Sequence, residues 1–204
     1  MEERVFIDSG GMKLEGLLED LPGEKGVVVT HPHPLYGGEM HNNVVEAVVK
    51  AYRAKGYTTL RFNFRGVGGS QGSYDEGRGE QDDVAAALGY LHALGKKEID
   101  LAGYSFGAWV NALGGERFHL ARRLVLISPP VSFIDFSFLK LDPRIRLVVV
   151  GTRDDIAGHG AVEEMLPQWN PDATFKVIQG GDHFYGGRTG ELHSIITEFL
   201  DREA

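Results

Sequence analysis

The sequence predicts an α/β protein built on a mostly parallel sheet with helices on both faces. After an opening pair of strand-like segments, short apolar runs alternate with segments of helical spacing, which is typical of a doubly wound sheet. One of the runs holds three consecutive valines, Val27-Val28-Val29, as expected of a strand buried on both faces. No repeat, low-complexity segment or linker divides residues 1–204, so we expect a single domain.

The individual elements follow from periodicity and from their end signals. Two strand-like segments flank Ser9-Gly10-Gly11 and predict an antiparallel hairpin at the start of an eight-stranded sheet. The strands are predicted at residues 4–8, 13–19, 26–30, 58–64, 99–102, 123–128, 145–150 and 174–179. Asn42 or Asn43 can cap the first helix, which Gly56 ends. Four further helices are predicted at residues 79–94, 108–113, about 161–168 and 191–200.

Composition excludes several classes of function. The 204 residues are 42% hydrophobic and 25% charged, as in ordinary soluble domains. A net charge of −8 argues against nucleic acid or an anionic membrane as a partner. The absence of cysteine excludes disulfides, a thiolate nucleophile and cysteine metal sites. Met1-Glu2-Glu3-Arg4 lacks the pattern of a signal peptide, and no apolar stretch approaches the roughly 18 residues of a membrane span. We therefore expect a cytoplasmic protein, either a monomer or a homodimer.

The motif that organises the chain is Gly103-Tyr104-Ser105-Phe106-Gly107. It lies between a predicted buried strand and a predicted helix, which is the context that a nucleophile elbow requires. The turn is so tight that the serine takes strained backbone angles, and residues two positions away must lack side chains. Ser105 is therefore the candidate nucleophile.

Polar side chains follow the other predicted strands at the same edge of the sheet, where ligands bind in this architecture. Ser105, Asp154 and His183 each come just after a strand, so three strands deliver a serine, an acid and a histidine to one edge. Asp155 is the alternative acid, and His159 is a weaker rival to His183.

The order Ser105, Asp154, His183 resembles that of the α/β-hydrolase triad, and the resemblance covers essentially the whole chain. More narrowly, the chain resembles small lidless bacterial hydrolases akin to dienelactone hydrolases, in a group with a His-Pro-His-Pro-x-x-Gly-Gly loop (residues 31–38) and an Arg-Gly-x-Gly-x-Ser loop (residues 65–70). Members with an activity are mostly carboxylesterases. Dienelactone hydrolases proper use a cysteine nucleophile, so the resemblance does not extend to that substrate.

The resemblance implies a serine hydrolase that cleaves small carboxylic esters through an acyl-enzyme, with no cofactor. His183 would take the proton of Ser105, and Asp154 would orient the imidazole. The oxyanion needs two donors: the N–H of Phe106, and one from the loop after the third strand. Because Pro32 and Pro34 have no N–H, His33 is the first choice, with Leu35 and Tyr36 as fallbacks.

The remaining candidates concern substrate and alternatives. Residues 129–144 are too few for a helical lid, so the site should be open to small, soluble, short-chain esters. Aromatic side chains that could contact the substrate are Tyr36, Tyr74, Trp109, Phe133 and Tyr185, with Phe136 and Phe138 nearby in sequence. A metal at His31-Pro32-His33 lacks further ligands, and residues 65–71 fail the dinucleotide pattern. Thioesterase or short-peptide hydrolysis on the same triad, and a non-catalytic binding module, remain open.

Overall fold

The computed structural model describes residues 1–203, which form one eight-stranded sheet flanked by five α-helices. The strands are β1 (Glu3–Ser9), β2 (Met12–Glu19), β3 (Lys25–Thr30), β4 (Thr58–Phe62), β5 (Glu98–Tyr104), β6 (Ala121–Ile127), β7 (Ile145–Gly151) and β8 (Thr174–Ile178). The helices are α1 (Asn43–Ala54), α2 (Arg78–Ala93), α3 (Phe106–Leu113), α4 (His159–Trp169) and α5 (Thr189–Arg202).

The strand order is β1-β2-β4-β3-β5-β6-β7-β8. The first hairpin is antiparallel, and β2 pairs antiparallel with β4. All pairings from β4 through β8 are parallel. The predicted fold class, a mostly parallel eight-stranded sheet with an opening antiparallel hairpin and helices on both faces, is confirmed.

Two apolar cores lie on opposite faces of the sheet, and β3 illustrates how the sequence builds both. Alternate side chains of a strand point to opposite faces. Val28 accordingly packs in the core that α2, α3 and α4 cover, whereas Val27 and Val29 pack in the core that α1 and α5 cover. The valine run is therefore buried on both faces, and the carboxyl end of β3 is held firmly where the polar loops begin.

The element boundaries differ from prediction where loops intervene. β4 ends at Phe62, two residues early, because Ser70 Oγ accepts the Glu15 N–H (2.9 Å) and donates to the Asn63 carbonyl (2.7 Å), which replaces the strand bond between Glu15 N–H and Asn63. Asn42, one of the two candidate caps, accepts a hydrogen bond from the Val44 N–H and caps α1. α3 begins at Phe106, directly after Ser105, rather than at residue 108.

The stretch between β6 and β7 contains turns but no helix in residues 128–144, so no cap domain is inserted there. Within residues 1–203, no helix combines the length and the apolar character that crossing a membrane requires.

Candidate active site

Ser105 occupies a strained turn between β5 and α3. Its backbone angles are φ 55° and ψ −117°, a region that costs a non-glycine residue of order 1–3 kcal/mol. The surrounding structure enforces the turn, because the Ser105 N–H bonds the Ile127 carbonyl (2.9 Å) and its carbonyl accepts from the Trp109 N–H (3.1 Å). The hydroxyl is thereby held at the carboxyl edge of the sheet.

The two glycines of the motif are required by close approach of neighbouring atoms. A Cβ on Gly103 would lie 2.4 Å from Asn111 Nδ2 and 2.7 Å from the Ala108 N. A Cβ on Gly107 would lie 2.6 Å from Thr30 Oγ1 and 2.7 Å from the Thr30 carbonyl oxygen. Neither gap admits a side chain, which agrees with the spacing argument from the sequence.

Ser105, His183 and Asp154 lie within hydrogen-bond distance of one another in series. The Nε2 of His183 is 2.9 Å from the Oγ of Ser105. Its Nδ1 is 2.9 and 3.0 Å from the two carboxylate oxygens of Asp154. The Tyr104 hydroxyl donates to the His183 carbonyl (2.7 Å) and fixes the backbone that carries the imidazole. This arrangement can move a proton from the serine hydroxyl to the imidazole.

The Asp154 carboxylate is buried and remains well supplied with donors. Its Oδ1 accepts from the N–H groups of Ile156 (3.1 Å) and Ala157 (2.8 Å). Burial raises the pKa of Asp154, but hydrogen bonds from His183, Ser128 and Ala157 and the charge of His183 outweigh it and lower the pKa below 3.8. The alternative acid, Asp155, is exposed to solvent and takes no part in this series.

The loop after β3 presents two histidines with different surroundings. His31 is fully buried: its Nε2 accepts from the Phe64 N–H (3.0 Å) and its Nδ1–H donates to the Pro32 carbonyl (2.7 Å). Burial lowers the pKa of His31 to about 4, so the ring is neutral at physiological pH. His31 therefore ties the end of β3 to the end of β4.

The backbone donors around this loop differ in availability. Among residues 1–203, the N–H groups of Phe106 and His33 have no hydrogen-bond partner. The N–H of Leu35 bonds the ring Nδ1 of His33 (3.2 Å), and the N–H of Tyr36 bonds the His33 carbonyl (3.1 Å). Of these four N–H groups, only those of Phe106 and His33 are free to donate to a bound molecule.

Arg65, which follows β4, points into the protein rather than toward the site. Its guanidinium and its N–H bond the buried carboxylate of Asp83 at 2.8–3.2 Å, and Ser9 Oγ adds a further donor at 2.9 Å. The glycine-rich loop is thus anchored by an ion pair at its root.

The aromatic candidates separate into three groups. His33 lies at the centre of the first, with ring centroids 4.8 Å from Tyr36, 5.1 Å from Tyr74 and 4.7 Å from Phe106. Trp109 extends it, 5.5 Å from Phe106. This aromatic wall therefore adjoins the nucleophile.

The second group lies in the irregular segment between β6 and β7. Phe133 is 73% exposed. The residue before it, Ser132, donates its N–H to the carbonyl of Ile156, which follows Asp154 in the next loop. Phe136 is a core residue against Trp169, and Phe138 stacks on it from the surface.

The position of Tyr185 differs from the one predicted from the sequence. The sequence-based expectation that it contacts substrate is wrong, because its side chain is fully buried and its hydroxyl bonds Ser128 Oγ (2.8 Å) and the Val149 carbonyl (3.3 Å). Its backbone φ is 55°, and its ring packs in the core that α1 and α5 cover.

Ser128 is a residue of this site that the sequence analysis did not select. Its hydroxyl donates to Asp154 Oδ2 at 2.6 Å. The available signal was its position directly after β6, at the same sheet edge as the other three residues.

Comparison with known proteins identifies the family to which the chain belongs. A family model described as "Alpha/beta hydrolase family" matches residues 27–186. The chain belongs to the alpha/beta hydrolase family. The prediction of this family from the order of the three residues is confirmed, and hydrolysis is the reaction class that membership indicates.

Individual relatives agree with the assignment. This alpha/beta hydrolase is 38% identical over 189 residues to the uncharacterized protein RP471 of Rickettsia prowazekii, covering 88% of this chain and 79% of that protein. An alpha-beta serine hydrolase homologue from Coxiella burnetii is 34% identical, with a TM-score of 0.89 and 97% of both chains covered. XC6422 from Xanthomonas campestris, described as an a/b serine hydrolase without lid, is 32% identical, with a TM-score of 0.90, 98% of this chain and 94% of that chain covered.

Proposed function

We propose that this alpha/beta hydrolase cleaves small carboxylic esters through an acyl-enzyme, with Ser105 as nucleophile, His183 as general base and acid, and Asp154 as the orienting carboxylate. The observation that carries the proposal is the continuous series Ser105 Oγ, His183 Nε2, His183 Nδ1 and Asp154, with heavy-atom distances of 2.9 to 3.0 Å. Hydrogen bonds of this length permit proton transfer at each step that requires it.

The reaction follows from what each group can do. Ser105 attacks the ester carbonyl while His183 Nε2 takes its proton, because the hydroxyl alone is a poor nucleophile. The imidazolium then protonates the leaving alcohol, and water hydrolyses the acyl-enzyme with His183 again as base. Asp154 holds the Nδ1–H tautomer and stabilises the imidazolium throughout.

The tetrahedral intermediate carries an oxyanion that needs fixed donors. The free N–H groups of Phe106 and His33 support their assignment to this role, and the N-terminus of α3 adds a favourable dipole at Phe106. The N–H groups of Leu35 and Tyr36 are already engaged, which weighs against the fallback choices. Each donor typically contributes about 3 kcal/mol to the transition state.

The substrate proposal rests on the absence of a cap in residues 128–144 and on the aromatic wall of His33, Tyr36, Tyr74, Phe106 and Trp109. A short, open site offers contacts to a small acyl group but encloses little of a long chain, since enclosure is what stabilises binding of extended apolar ligands. Short-chain esters are therefore the proposed substrates.

The first experiment tests the nucleophile. The protein is treated with a fluorophosphonate probe beside Ser105→Ala, and Ser132→Ala serves as control because Ser132 is exposed and outside the series. We expect labelling of wild type and of the control, and none of Ser105→Ala. An unlabelled wild type would refute the serine hydrolase assignment, and labelling of Ser105→Ala would move the nucleophile elsewhere.

The second experiment tests the substrate class with nitrophenyl esters of increasing acyl length. We expect kcat/KM to be highest for chains of about two to six carbons, because the open site gives no further contacts to longer ones. Faster turnover of chains beyond about ten carbons would contradict the proposal.

A further inference from the structure

Ser128 holds a buried, strained position beside the proposed catalytic acid. It follows β6 with φ 45°, and its N–H bonds the Val149 carbonyl at 2.8 Å. A left-handed conformation is disfavoured for a residue with a Cβ, so it persists only where contacts enforce it. Its Oγ is 2.6 Å from Asp154 Oδ2, and because a carboxylate only accepts, Ser128 is the donor.

Tyr185 gives this contact a direction. It too has a left-handed backbone, with φ 55°, and its hydroxyl lies 2.8 Å from Ser128 Oγ. Since the single proton of Ser128 goes to Asp154, Ser128 Oγ can only accept from the Tyr185 hydroxyl. The Tyr185 proton therefore points to Ser128 Oγ at 2.8 Å, and the Val149 carbonyl at 3.3 Å is its weaker, competing acceptor. The result is a one-way chain from the Tyr185 hydroxyl through Ser128 to Oδ2 of Asp154, and such chains strengthen each member.

Apart from the imidazole of His183, the hydroxyl chain from Tyr185 through Ser128 is the main side-chain support of Asp154. The other groups that face the carboxylate do not replace it. Burial raises the pKa of Tyr104 and of Tyr185, so both hydroxyls keep their protons. Asp182 is an exposed carboxylate next to His183. Within residues 1–203, no lysine or arginine forms an ion pair with Asp154. Among residues 1–203, Ser128 is thus the one residue whose hydroxyl donates a hydrogen bond to the Asp154 carboxylate.

We propose that Ser128 and Tyr185 are positioning residues that fix Oδ2 of Asp154 and so set the plane of the carboxylate toward Nδ1 of His183. The inference rests on the proposed triad. Backbone N–H groups hold Oδ1, and the hydroxyl chain holds Oδ2, so the carboxylate has no freedom to rotate.

The consequence for catalysis has a defined sign. Removal of the Ser128 hydroxyl takes away one of the hydrogen bonds that lower the pKa of Asp154. The carboxylate then binds a proton at higher pH, so the acid limb of the kcat/KM profile, to which loss of the ionised Asp154 contributes, moves to higher pH. Loss of one hydrogen bond to a charged group should reduce kcat about tenfold, with KM unchanged, because Ser128 does not contact substrate.

The experiment compares Ser128→Ala, Ser128→Gly and Tyr185→Phe with wild type. Glycine tolerates φ 45°, so Ser128→Gly removes the hydroxyl and relieves the backbone, whereas Ser128→Ala removes the hydroxyl alone. We expect both Ser128 variants to lower kcat and to move the acid limb to higher pH by the same amount. We expect Tyr185→Phe to move the acid limb in the same direction by a smaller amount. The matched control is Tyr52→Phe, which removes a buried tyrosine bond to the carboxylate of Asp100 (3.1 Å) in another part of the fold and should leave the limb in place.

A spectroscopic reading separates this inference from the proposed function. The Nδ1–H proton of His183, assigned by its loss in His183→Gln, is observed by NMR in each variant without any substrate. A displaced signal in the Ser128 variants and in Tyr185→Phe supports the positioning role even if no ester is turned over. An unchanged signal and an unchanged limb in these variants, or an equal change in Tyr52→Phe, overturns it. Tyr185→Phe keeps the ring, so it remains a test if the Ser128 variants fail to fold.

Discussion

The buried ring of His31 makes the stability of the fold depend on pH in a calculable way. Burial lowers its pKa from 6.5 to about 4 in the folded protein. The folded ring must also stay neutral at Nε2, because that atom accepts the Phe64 N–H. Protonation is therefore far easier in the unfolded chain, and stability falls as pH drops.

The size of this loss in the free energy of unfolding follows from the difference between the pKa of His31 in the unfolded and folded states. A histidine with a depressed pKa contributes its full stability above pH 6.5 and loses it progressively as pH falls toward about 4. Between pH 7.5 and pH 5 the loss is about 2 kcal/mol, and the complete loss below pH 4 is about 3 kcal/mol. Other titrating groups also contribute, so the comparison needs a variant that retains them.

The assay is urea unfolding of wild type and His31→Gln from pH 7.5 to pH 5. Glutamine offers an acceptor for the Phe64 N–H but does not titrate. We expect wild type to lose about 2 kcal/mol more than the variant over this range, with equal m-values. Parallel stability curves would refute the reasoning. A wild-type NMR titration of the His31 ring with a midpoint near 6.5 would refute it independently.

Three further predictions concern single substitutions. Asp154→Asn should lower kcat by about 10³–10⁴, whereas Asp155→Asn, at an exposed neighbour, should leave it unchanged; steady-state kinetics with equal losses in both would contradict the assignment of the acid. Gly107→Ala should cost at least about 2 kcal/mol by denaturant unfolding, because its Cβ would meet Thr30, while Gly89→Ala in α2, where nothing lies within 4 Å, should be neutral or stabilising. Asp83→Ala should cost about 3 kcal/mol, since Arg65 would keep a buried charge without its partner; a melting temperature equal to wild type would show that the pair is dispensable.

Much of the site could be predicted because it depends on strand ends. The carboxyl ends of parallel strands meet at one edge, so Ser105, Asp154 and His183 come to the same edge of the sheet. The loop after β8 then carries His183 back past two strands to Ser105. The glycines of the elbow follow from the same local geometry. The predicted strand and helix bounds differ from the structure by one or two residues, since the last residues of an element are decided by contacts such as those of Ser70 with Glu15 and Asn63.

The rest depends on loop conformation, which sequence periodicity does not encode. Tyr185 points into the protein and packs in the core that α1 and α5 cover, and nothing in the residues around it distinguishes that from an outward ring. Phe133 and Phe136 lie three positions apart in an irregular segment, yet one is exposed and the other is core. The contact of Ser128 with Asp154 joins two loops that are far apart in the sequence, so only the three-dimensional structure shows it.

The uncovered edge of the sheet has a consequence for the kinetics of turnover. Where an enzyme must open a loop or domain to release product, that motion often limits kcat. Here no inserted cap occupies residues 128–144, so the alcohol and acid of the proposed ester cleavage would leave without such a rearrangement. Raising the viscosity of the medium should therefore leave kcat almost untouched, and small alcohols should compete with water for the acyl group, yielding exchanged esters alongside the free acid.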